Sequence, residues 1–347
     1  MALTINTNIS SIIAQRSLNG ATNNLNASIE RMSTGYKINH AKDNAAGYSI
    51  AKAWDTKLGS LDVAADNAAT GSDLLTTAEQ SYDLLSSHLQ RVRDLTEQAA
   101  NGTYASTSLK AIQAEVEARL DEITRVASNS EFNGIKLMSY IADGNPTGVG
   151  ITSDGINLQV GLYADQHSVI KLDVDLFKSA TVSGLFTGLL SEKNGNTKDA
   201  TEITLQAVLD QANNAATANV TDANFNKIFA AACSGLVLTD AANDTYILAS
   251  DSTTAYGAKE MLSFIDSAID EISSRVVRIG ANQNRVESAM AALDVQSQNL
   301  TSSLSTLRDT DVAEESSNYI SAQILQQASA TLLSTANQTP SIALNLV

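Results

Sequence analysis

The feature that most constrains this fold is a run of seven heptads near the C-terminal side, uninterrupted by proline. With Leu262 as an a position, only Gln283 and Ser297 of the a series are polar, and every d position is apolar: Ile265, Ile272, Ile279, Val286, Leu293, Leu300 and Leu307. Such a repeat predicts one long helix with a coiled-coil seam. Proline, the strongest helix breaker, occurs in the whole chain only at Pro146 and Pro340.

A second seam in the N-terminal third predicts the helices that pack with it. Its a and d positions are Leu61, Ala64, Ala68, Gly71, Leu75, Ala78, Tyr82, Leu85, Leu89, Val92, Thr96 and Ala99. The seam stops at Asn101-Gly102, which is typical of a helix end, and a shorter helical pattern follows from Leu109 to Val126. A short turn between two helices predicts an antiparallel hairpin, with the distant C-terminal helix as a further member of the bundle.

Between these helical regions the pattern changes. Residues Ile156 to Gly161 and Val169 to Leu176 alternate apolar and polar side chains, which predicts a β-hairpin. Residues 178–250 are rich in Thr, Asn, Asp and Gly, which predicts a small inserted α+β outer domain, exposed and tolerant of change. The predicted fold class is therefore mainly α: a long antiparallel helical coiled-coil bundle built from both chain ends, with the β-hairpin and the insert.

Both chain ends are nearly free of charge, although the formal net charge of the chain is −16. Arg16 is the only charged residue before Glu30, and none follows Glu315. Each end carries a helical apolar stripe: Leu18, Ala21, Leu25, Ile29 and Met32 at one, and Ile324, Leu325, Ala328, Leu332, Leu333 and Ala336 at the other. Isolated helices of this kind are marginal in water. We therefore expect the ends of many copies to pack together in a shared interior.

The composition argues against several classes of partner. An acidic balance does not favour nucleic acid, because proteins that bind phosphate backbones normally present a basic face. The single cysteine, Cys233, provides no intramolecular disulfide and no zinc cluster, and we expect it to pack as a small apolar residue. The N-terminal residues lack the pattern of a cleaved signal peptide, and the C-terminal tract is too polar to span a bilayer. We expect neither nucleic acid nor a membrane as partner.

No group of residues predicts an enzyme, a cofactor site or a metal site. The three histidines are scattered, and the chain has neither an HExxH motif nor a glycine-rich phosphate loop. The densest carboxylate cluster, Arg308 to Glu315, has two interpretations. It is either a cation site or, as we prefer, a helix start with Asp311 as N-cap and Glu314 completing a capping box. Likewise, Arg91 and Arg93 opposite Glu115 and Glu122 predict a solvated ion-pair face.

Five segments carry a family resemblance over about the first 140 and the last 90 residues. They are RMSTGYKINHAKDNAAGYSIA (Arg31 to Ala51), HLQRVRDLTEQAANGT (His88 to Thr103), IQAEVEARLDEI (Ile112 to Ile123), FNGIKLM (Phe132 to Met138) and SAQILQQASATLLSTANQ (Ser321 to Gln338). In this order they resemble bacterial flagellin. The resemblance implies a structural subunit, not an enzyme, that polymerises into the flagellar filament for motility. The alternative is a hook–filament junction protein of the same superfamily, which shares the terminal helices.

The resemblance also implies three layers. Residues 1–45 with 309–347 would form an inner tube, residues 46–177 with 251–308 an outer tube, and residues 178–250 a variable surface insert. The side chains expected to pack the inner tube are Leu18, Leu25, Ile29, Ile324, Leu325, Leu332 and Leu333. Helices around a narrow export channel would bring like charges together in a low-dielectric wall, which explains why both ends exclude charge.

A surface patch and several partners follow from the same resemblance. Arg91, Leu95, Gln98 and Glu115 stand at the positions of a patch that the flagellin-sensing Toll-like receptor of vertebrates recognises and that filaments use between subunits. We expect Leu95 to be exposed within this patch. The implied partners are further copies of the chain, an export chaperone, the filament cap and hook-associated proteins. The implied location is the extracellular filament, reached by export without a cleaved signal peptide.

Overall fold

The computed structural model confirms a mainly α fold with small antiparallel sheets. It describes residues 8–138, 155–163, 165–182, 184–185, 226, 229–230, 233–234, 236–240, 245–248 and 254–344. The long α-helices in these ranges are α1 (Ile9–Thr34), α2 (Ala45–Ala100), α3 (Ser106–Asn129), α4 (Thr254–Arg308) and α5 (Val312–Leu344). Two compact units are formed, one by Met1–Val63 with Asp294–Val347 and the other by Ala64–Leu293. The predicted division into three layers stays a prediction.

The first unit contains α1 and α5, which lie antiparallel along a seam of small residues. In α1 the buried residues recur every seven positions, and α5 shows the same interval: Ala14, Ala21 and Ser28, with Glu315, Ala322, Ser329 and Ala336. Leu18, Leu25 and Leu333 are half-buried beside them. A heptad interval on both helices is the signature of coiled-coil packing, and small side chains at the contact let the two helices approach closely.

A joint connects the ends of these helices to α2 and α4. Gly35 ends α1 with a φ of 76°, a left-handed conformation that glycine adopts without steric cost. The amide of Lys37 donates to the carbonyl oxygen of Arg308 over 2.7 Å, and the amide of Thr310 donates to that of Gly35 over 2.9 Å. The Arg308 guanidinium lies 3.9 Å from the centre of the Tyr36 ring. Backbone hydrogen bonds and a cation–π contact therefore hold the segment after α1 against the segment between α4 and α5.

The second unit is a bundle with one continuous hydrophobic core. Along α2 the buried seam residues run from Ala68 to Ala99, and along α4 they include Ile265, Ile272, Ile279 and Val286. Residues of α3 complete the same core cluster: Leu109, Ile112, Val116, Leu120, Ile123 and Ala127. The heptad prediction is confirmed for α4, which is one uninterrupted helix, and for α2, which ends one residue before Asn101.

Three hairpins are found among the described residues in the middle of the chain. Strands β1 (Glu131–Phe132) and β2 (Ile135–Lys136) flank Asn133-Gly134, both with positive φ. Strands β3 (Ile156–Gln159) and β4 (Val169–Leu172) form the predicted hairpin, paired from Ile156 with Leu172 to Gln159 with Val169. Strands β5 (Leu236–Asp240) and β6 (Thr245–Leu248) form the third.

Several described residues of the insert are buried, which corrects for them the expectation that residues 178–250 are exposed. Six of these side chains belong to the core cluster of the second unit: Ala180, Val182, Leu185, Phe229, Ala230 and Cys233. The Asn226 side-chain amide donates to an Asp121 carboxylate oxygen of α3 over 2.8 Å. Apolar residues of the insert are therefore part of the bundle core. Cys233 packs as a small apolar residue, as predicted.

Candidate interaction surfaces

The helix pair α1–α5 presents large apolar side chains that its own seam does not cover. The exposed fraction ranges from 39% at Met32 to 64% at Ile9, and the set comprises Ile9, Ile12, Ile13, Ile29 and Met32 of α1 and Val312, Ile320, Ile324, Leu325 and Leu332 of α5. Arg16 is the only charged residue of α1 before Glu30, and α5 has none after Glu315. Large apolar side chains exposed in this number mark a surface for protein interaction.

These exposed side chains lie on more than one face of α5. Ala322 faces the seam, and at about 100° per residue Ile324 points roughly 200° away from it, to the opposite side. Leu325 and Leu332, seven residues apart, lie together on a flank of the helix. Within one chain, Leu18, Leu25 and Leu333 are half-buried between the helices, whereas Ile29, Ile324, Leu325 and Leu332 stay exposed. The pair can therefore contact at least two neighbours.

Polar contacts give the small-residue seam a defined register. At one end, the Asn8 side-chain amide donates to the carbonyl oxygen of Ala336 over 2.7 Å. At the other, Arg31 lies 3.7 Å from the carboxylate of Glu315, which is 5% exposed and has its Oε1 atom without a hydrogen-bond partner. A seam that repeats every seven residues could otherwise slip by one heptad, and such polar contacts favour a single register.

The carboxylate cluster before α5 starts the helix, as preferred from the sequence. Asp311 Oδ1 accepts hydrogen bonds from the backbone amides of Ala313, over 2.8 Å, and Glu314, over 3.3 Å. Because α5 begins at Val312, Asp311 is its N-cap. Glu315 turns into the α1 seam instead of joining the other carboxylates.

The α2–α3 hairpin brings part of the predicted patch to the surface. Arg91 Nη2 of α2 lies 2.8 Å from Glu115 Oε1 of α3. The Gln98 side-chain amide donates to the phenol oxygen of Tyr104 over 2.8 Å. Tyr104 is 37% exposed and was not among the predicted site residues; its position just after the Asn101-Gly102 turn was the available signal. The exposed groups are therefore Arg91, Gln98, Tyr104 and, in part, Glu115.

Leu95 does not belong to this exposed surface, and its predicted exposure is wrong. It is 2% exposed and is part of the core cluster. Leu95 is neither an a nor a d residue of the α2 seam, so the heptad pattern alone predicts that it lies at the surface. However, α2 is covered on two sides, by α3 through Arg91 and by α4 through Arg93, which widens its buried face beyond a single seam.

The predicted ion-pair face also needs a correction. Arg93 does not join the α3 carboxylates but donates from Nε to Asp266 of α4 over 2.6 Å, and this hydrogen bond raises the pKa of Arg93. Glu122 instead accepts from Arg125, four-fifths of a turn along α3, which lowers the pKa of Glu122. Only the Arg91–Glu115 part of the predicted pairing is present. Because these groups are exposed, solvent screens each pair, and its contribution to the stability of the fold is small.

None of the described helices has an apolar stretch long enough to cross a bilayer.

Family models match both ends of the chain. Residues 5–143 match the bacterial flagellin N-terminal helical region, and residues 262–347 match the bacterial flagellin C-terminal helical region. Residues 144–261 lie outside both matches.

Whole-chain comparisons give the same result. The chain is 33% identical over 375 aligned residues to Flagellin B of Vibrio cholerae serotype O1, with both chains covered completely. It is 32% identical over 384 residues to Polar flagellin F of Vibrio parahaemolyticus, and 33% identical over 380 residues to Flagellin D of Vibrio anguillarum, again over the full length of both. Nothing in these matches favours the hook–filament junction alternative. Paired helical ends, a heptad bundle and full-length similarity together show that this chain belongs to the bacterial flagellin family.

Proposed function

We propose that this chain, a structural subunit of the flagellar filament, polymerises by packing its α1–α5 pair against the pairs of neighbouring copies. The observation that carries the proposal is the set of exposed isoleucine, leucine, valine and methionine side chains on a nearly charge-free helix pair. Burying one such side chain contributes ~1.5–3 kcal/mol. An assembly that covers several of them per copy would therefore be held strongly.

The missing charges fit the same arrangement. In a tube of many identical copies, a charged residue would recur at short intervals in a wall of low dielectric constant, where both desolvation and like-charge repulsion are costly. Polar uncharged side chains can satisfy one another there. The one deeply buried carboxylate of the pair, Glu315, has Arg31 as its partner within the chain.

Seeded polymerisation of the purified chain tests the proposal. Leu332→Gln should raise the concentration needed for growth by roughly tenfold or more, because it removes apolar burial at a contact between copies. Val277→Gln is the matched control, since Val277 is also highly exposed but lies on α4 in the second unit. Equal growth of the parent and both variants, measured by electron microscopy and sedimentation, would contradict the role given to the pair.

The α2–α3 surface is proposed as the contact for the flagellin-sensing Toll-like receptor and for neighbouring subunits. Support comes from the resemblance and from the exposed Arg91–Glu115 pair beside the Gln98–Tyr104 hydrogen bond. Leu95 would act indirectly, because its packing in the core holds α2 and α3 in the positions that present the surface residues. Binding of the monomeric chain to the purified receptor ectodomain, compared with an Arg91→Ala variant, tests the assignment.

Export and capping partners complete the proposal. Before assembly, the exposed apolar side chains of α1 and α5 are a surface that an export chaperone would need to cover, and the filament cap and hook-associated proteins would meet the same ends in the filament. We propose an extracellular location, reached without cleavage of a signal peptide. A mass close to 36.5 kDa for the protein recovered from filaments would agree with this. Loss of about 15–30 N-terminal residues, the length of a signal peptide, would not.

A further inference from the structure

Two buried side chains hold the main chain where it leaves β4 toward the middle of the sequence. The phenol of Tyr82, on α2, donates a hydrogen bond to the carbonyl oxygen of Leu176 over 2.7 Å. The guanidinium of Arg275, on α4, donates from Nη1 to the carbonyl oxygen of Lys178 over 3.0 Å. Tyr82 is fully buried and Arg275 is 5% exposed. Side chains of two helices in the bundle therefore donate hydrogen bonds to two main-chain carbonyl groups that lie two residues apart.

The position of Arg275 requires an explanation, because a buried arginine destabilises a fold unless its donors are satisfied. Its Nε atom donates to Glu271 Oε1 over 3.0 Å, one turn earlier on α4. Its guanidinium carbon lies 5.9 Å from the centre of the Tyr82 ring, within the range of a cation–π contact. Burial raises the pKa of Tyr82, so its hydroxyl stays protonated and available as a donor. Each group is thus paired or aimed at a carbonyl oxygen.

The partners of these two side chains are main-chain atoms, which every amino acid possesses. The side chain of Lys178 points elsewhere and pairs with Asp175 over 2.8 Å at the surface. Tyr82 lies within residues 5–143 and Arg275 within residues 262–347, the two parts that match the family models. Leu176 and Lys178 lie in the unmatched part between them. Helices within the two family-model matches therefore contact, through its backbone, a segment that lies outside both matches.

We propose that Tyr82 and Arg275 form a carbonyl clamp that anchors the unmatched region to the bundle at Leu176 and Lys178, largely independently of the side chains of that segment. The clamp fixes the path of the chain from Leu176 to Lys178, just before the buried residues Ala180 and Val182. The side chain of Lys178 can then change without releasing the main chain from the helices. The inference goes beyond polymerisation, and it can be tested on the monomeric full-length chain.

Limited proteolysis with trypsin reports directly on the clamp. Trypsin cleaves after lysine, and the carbonyl of the Lys178–Ser179 bond is the acceptor that Arg275 holds. Arg275→Met keeps much of the aliphatic length but removes the donor. We expect cleavage after Lys178 to become about tenfold faster, which corresponds to ~1.4 kcal/mol, because proteolysis follows the population of the open segment. Cleavage after Lys171, exposed on β4, serves as the internal reference and should change little.

Two control variants separate the backbone contact from side-chain contacts. Lys178→Arg keeps a trypsin site, and because trypsin cleaves after arginine faster than after lysine, its rate is compared with and without Arg275→Met, where the same acceleration is expected. Asp175→Asn removes the surface ion pair and should not accelerate cleavage at position 178. If Asp175→Asn accelerates it as much as Arg275→Met does, side chains hold the segment and the clamp is wrong.

Tyr82→Phe covers the case in which Arg275→Met unfolds the bundle and all sites are cleaved together. It removes one hydroxyl and should accelerate cleavage after Lys178 severalfold while the reference site and the helical circular dichroism stay unchanged. Unchanged cleavage in Tyr82→Phe and in a folded Arg275→Met would overturn the proposal.

Discussion

At the scale of single residues, Leu95 and Arg91 have separate roles although they are one helical turn apart. Leu95 is in the core of the second unit, and Arg91 is at its surface in an ion pair with Glu115. A truncation of Leu95 leaves a cavity, whereas a truncation of Arg91 removes only a solvated contact. The difference can be measured, because stability and receptor binding are separate observables.

We expect Leu95→Ala to lower the free energy of unfolding by ~2–4 kcal/mol, as for other leucines in well-packed cores. Arg91→Ala should lower it by less than ~1 kcal/mol and should instead weaken receptor binding by ~1–2 kcal/mol, as for a modest interface hot spot. Urea denaturation and a binding titration on the same two variants provide both values. If Leu95→Ala leaves stability unchanged but weakens receptor binding, Leu95 belongs to the exposed patch and its assignment to the core is wrong.

Cys233 should make the second unit sensitive to alkali. Burial raises the pKa of its thiol from 9.0 to about 12. Because the folded-state pKa lies above the unfolded-state value, the stabilisation is complete below pH 9 and is lost as pH rises toward about 12. Above pH 9, the unfolding free energy of the parent should fall more steeply with pH than that of Cys233→Ala. Because both proteins contain the same tyrosines, the difference between the two curves reports the thiol alone. Parallel curves for the two proteins would show that the thiol is not buried.

At the scale of elements, the β3–β4 hairpin contacts α2 at a glycine. A Cβ atom at Gly71 would meet Leu158 Cδ1 at 2.6 Å, so the absent side chain leaves space for the leucine of β3. Beside it, the Asn67 side-chain amide donates to the carbonyl oxygen of Gln159 over 3.3 Å. The glycine in the middle of this long helix therefore has a packing function.

Substitution by alanine at Gly71 should separate helix propensity from packing. In a free helix surface the change stabilises by ~1 kcal/mol. Gly280→Ala, on α4 with nothing within 4 Å of the new methyl group, should show this gain. Gly71→Ala should show less or none, because Leu158 must shift. The gain should reappear when the double variant Gly71→Ala/Leu158→Ala is compared with the single variant Leu158→Ala, in which the leucine no longer fills the space. Equal gains at both glycines in the parent chain would contradict the contact.

At the scale of the whole molecule, each compact unit has its own packing. The first depends on the α1–α5 seam, and the second has the core cluster of α2, α3 and α4. This division predicts that assembly can be abolished without loss of the bundle.

Deletion of Ile320 to Val347 should leave the bundle of the second unit folded but abolish filament growth. The deletion removes most of α5, and α1 then loses the helix that covers Ala14 and Ala21. Circular dichroism should show a loss of helix confined to α1 and α5, with thermal unfolding of the rest unchanged. Sedimentation after seeding should show monomers only. Normal polymerisation of the truncated chain would rule out the inner-tube assignment.

Much of this architecture could be predicted because it depends on local periodicity. The heptads of α4, the end of α2 before Asn101 and the alternation at Ile156 each report a period that the neighbouring residues alone define. The strands were predicted too long, since residues 174–177 form a short 3₁₀ turn that ends the hairpin after Leu172. The candidate patch was predicted in part, through helical spacing and resemblance.

What the sequence by itself determined is the kind of element at each place, the apolar seams and the absence of charge at both ends. The tertiary structure decided which face of each helix is covered. It buried Leu95 because α2 has neighbours on two sides, and it placed Ala322 and Ser329 against α1 while leaving Leu325 and Leu332 exposed. It also brought Arg275 to the carbonyl of Lys178, 97 residues away. Such choices depend on contacts between distant parts of the chain, which a local period does not contain.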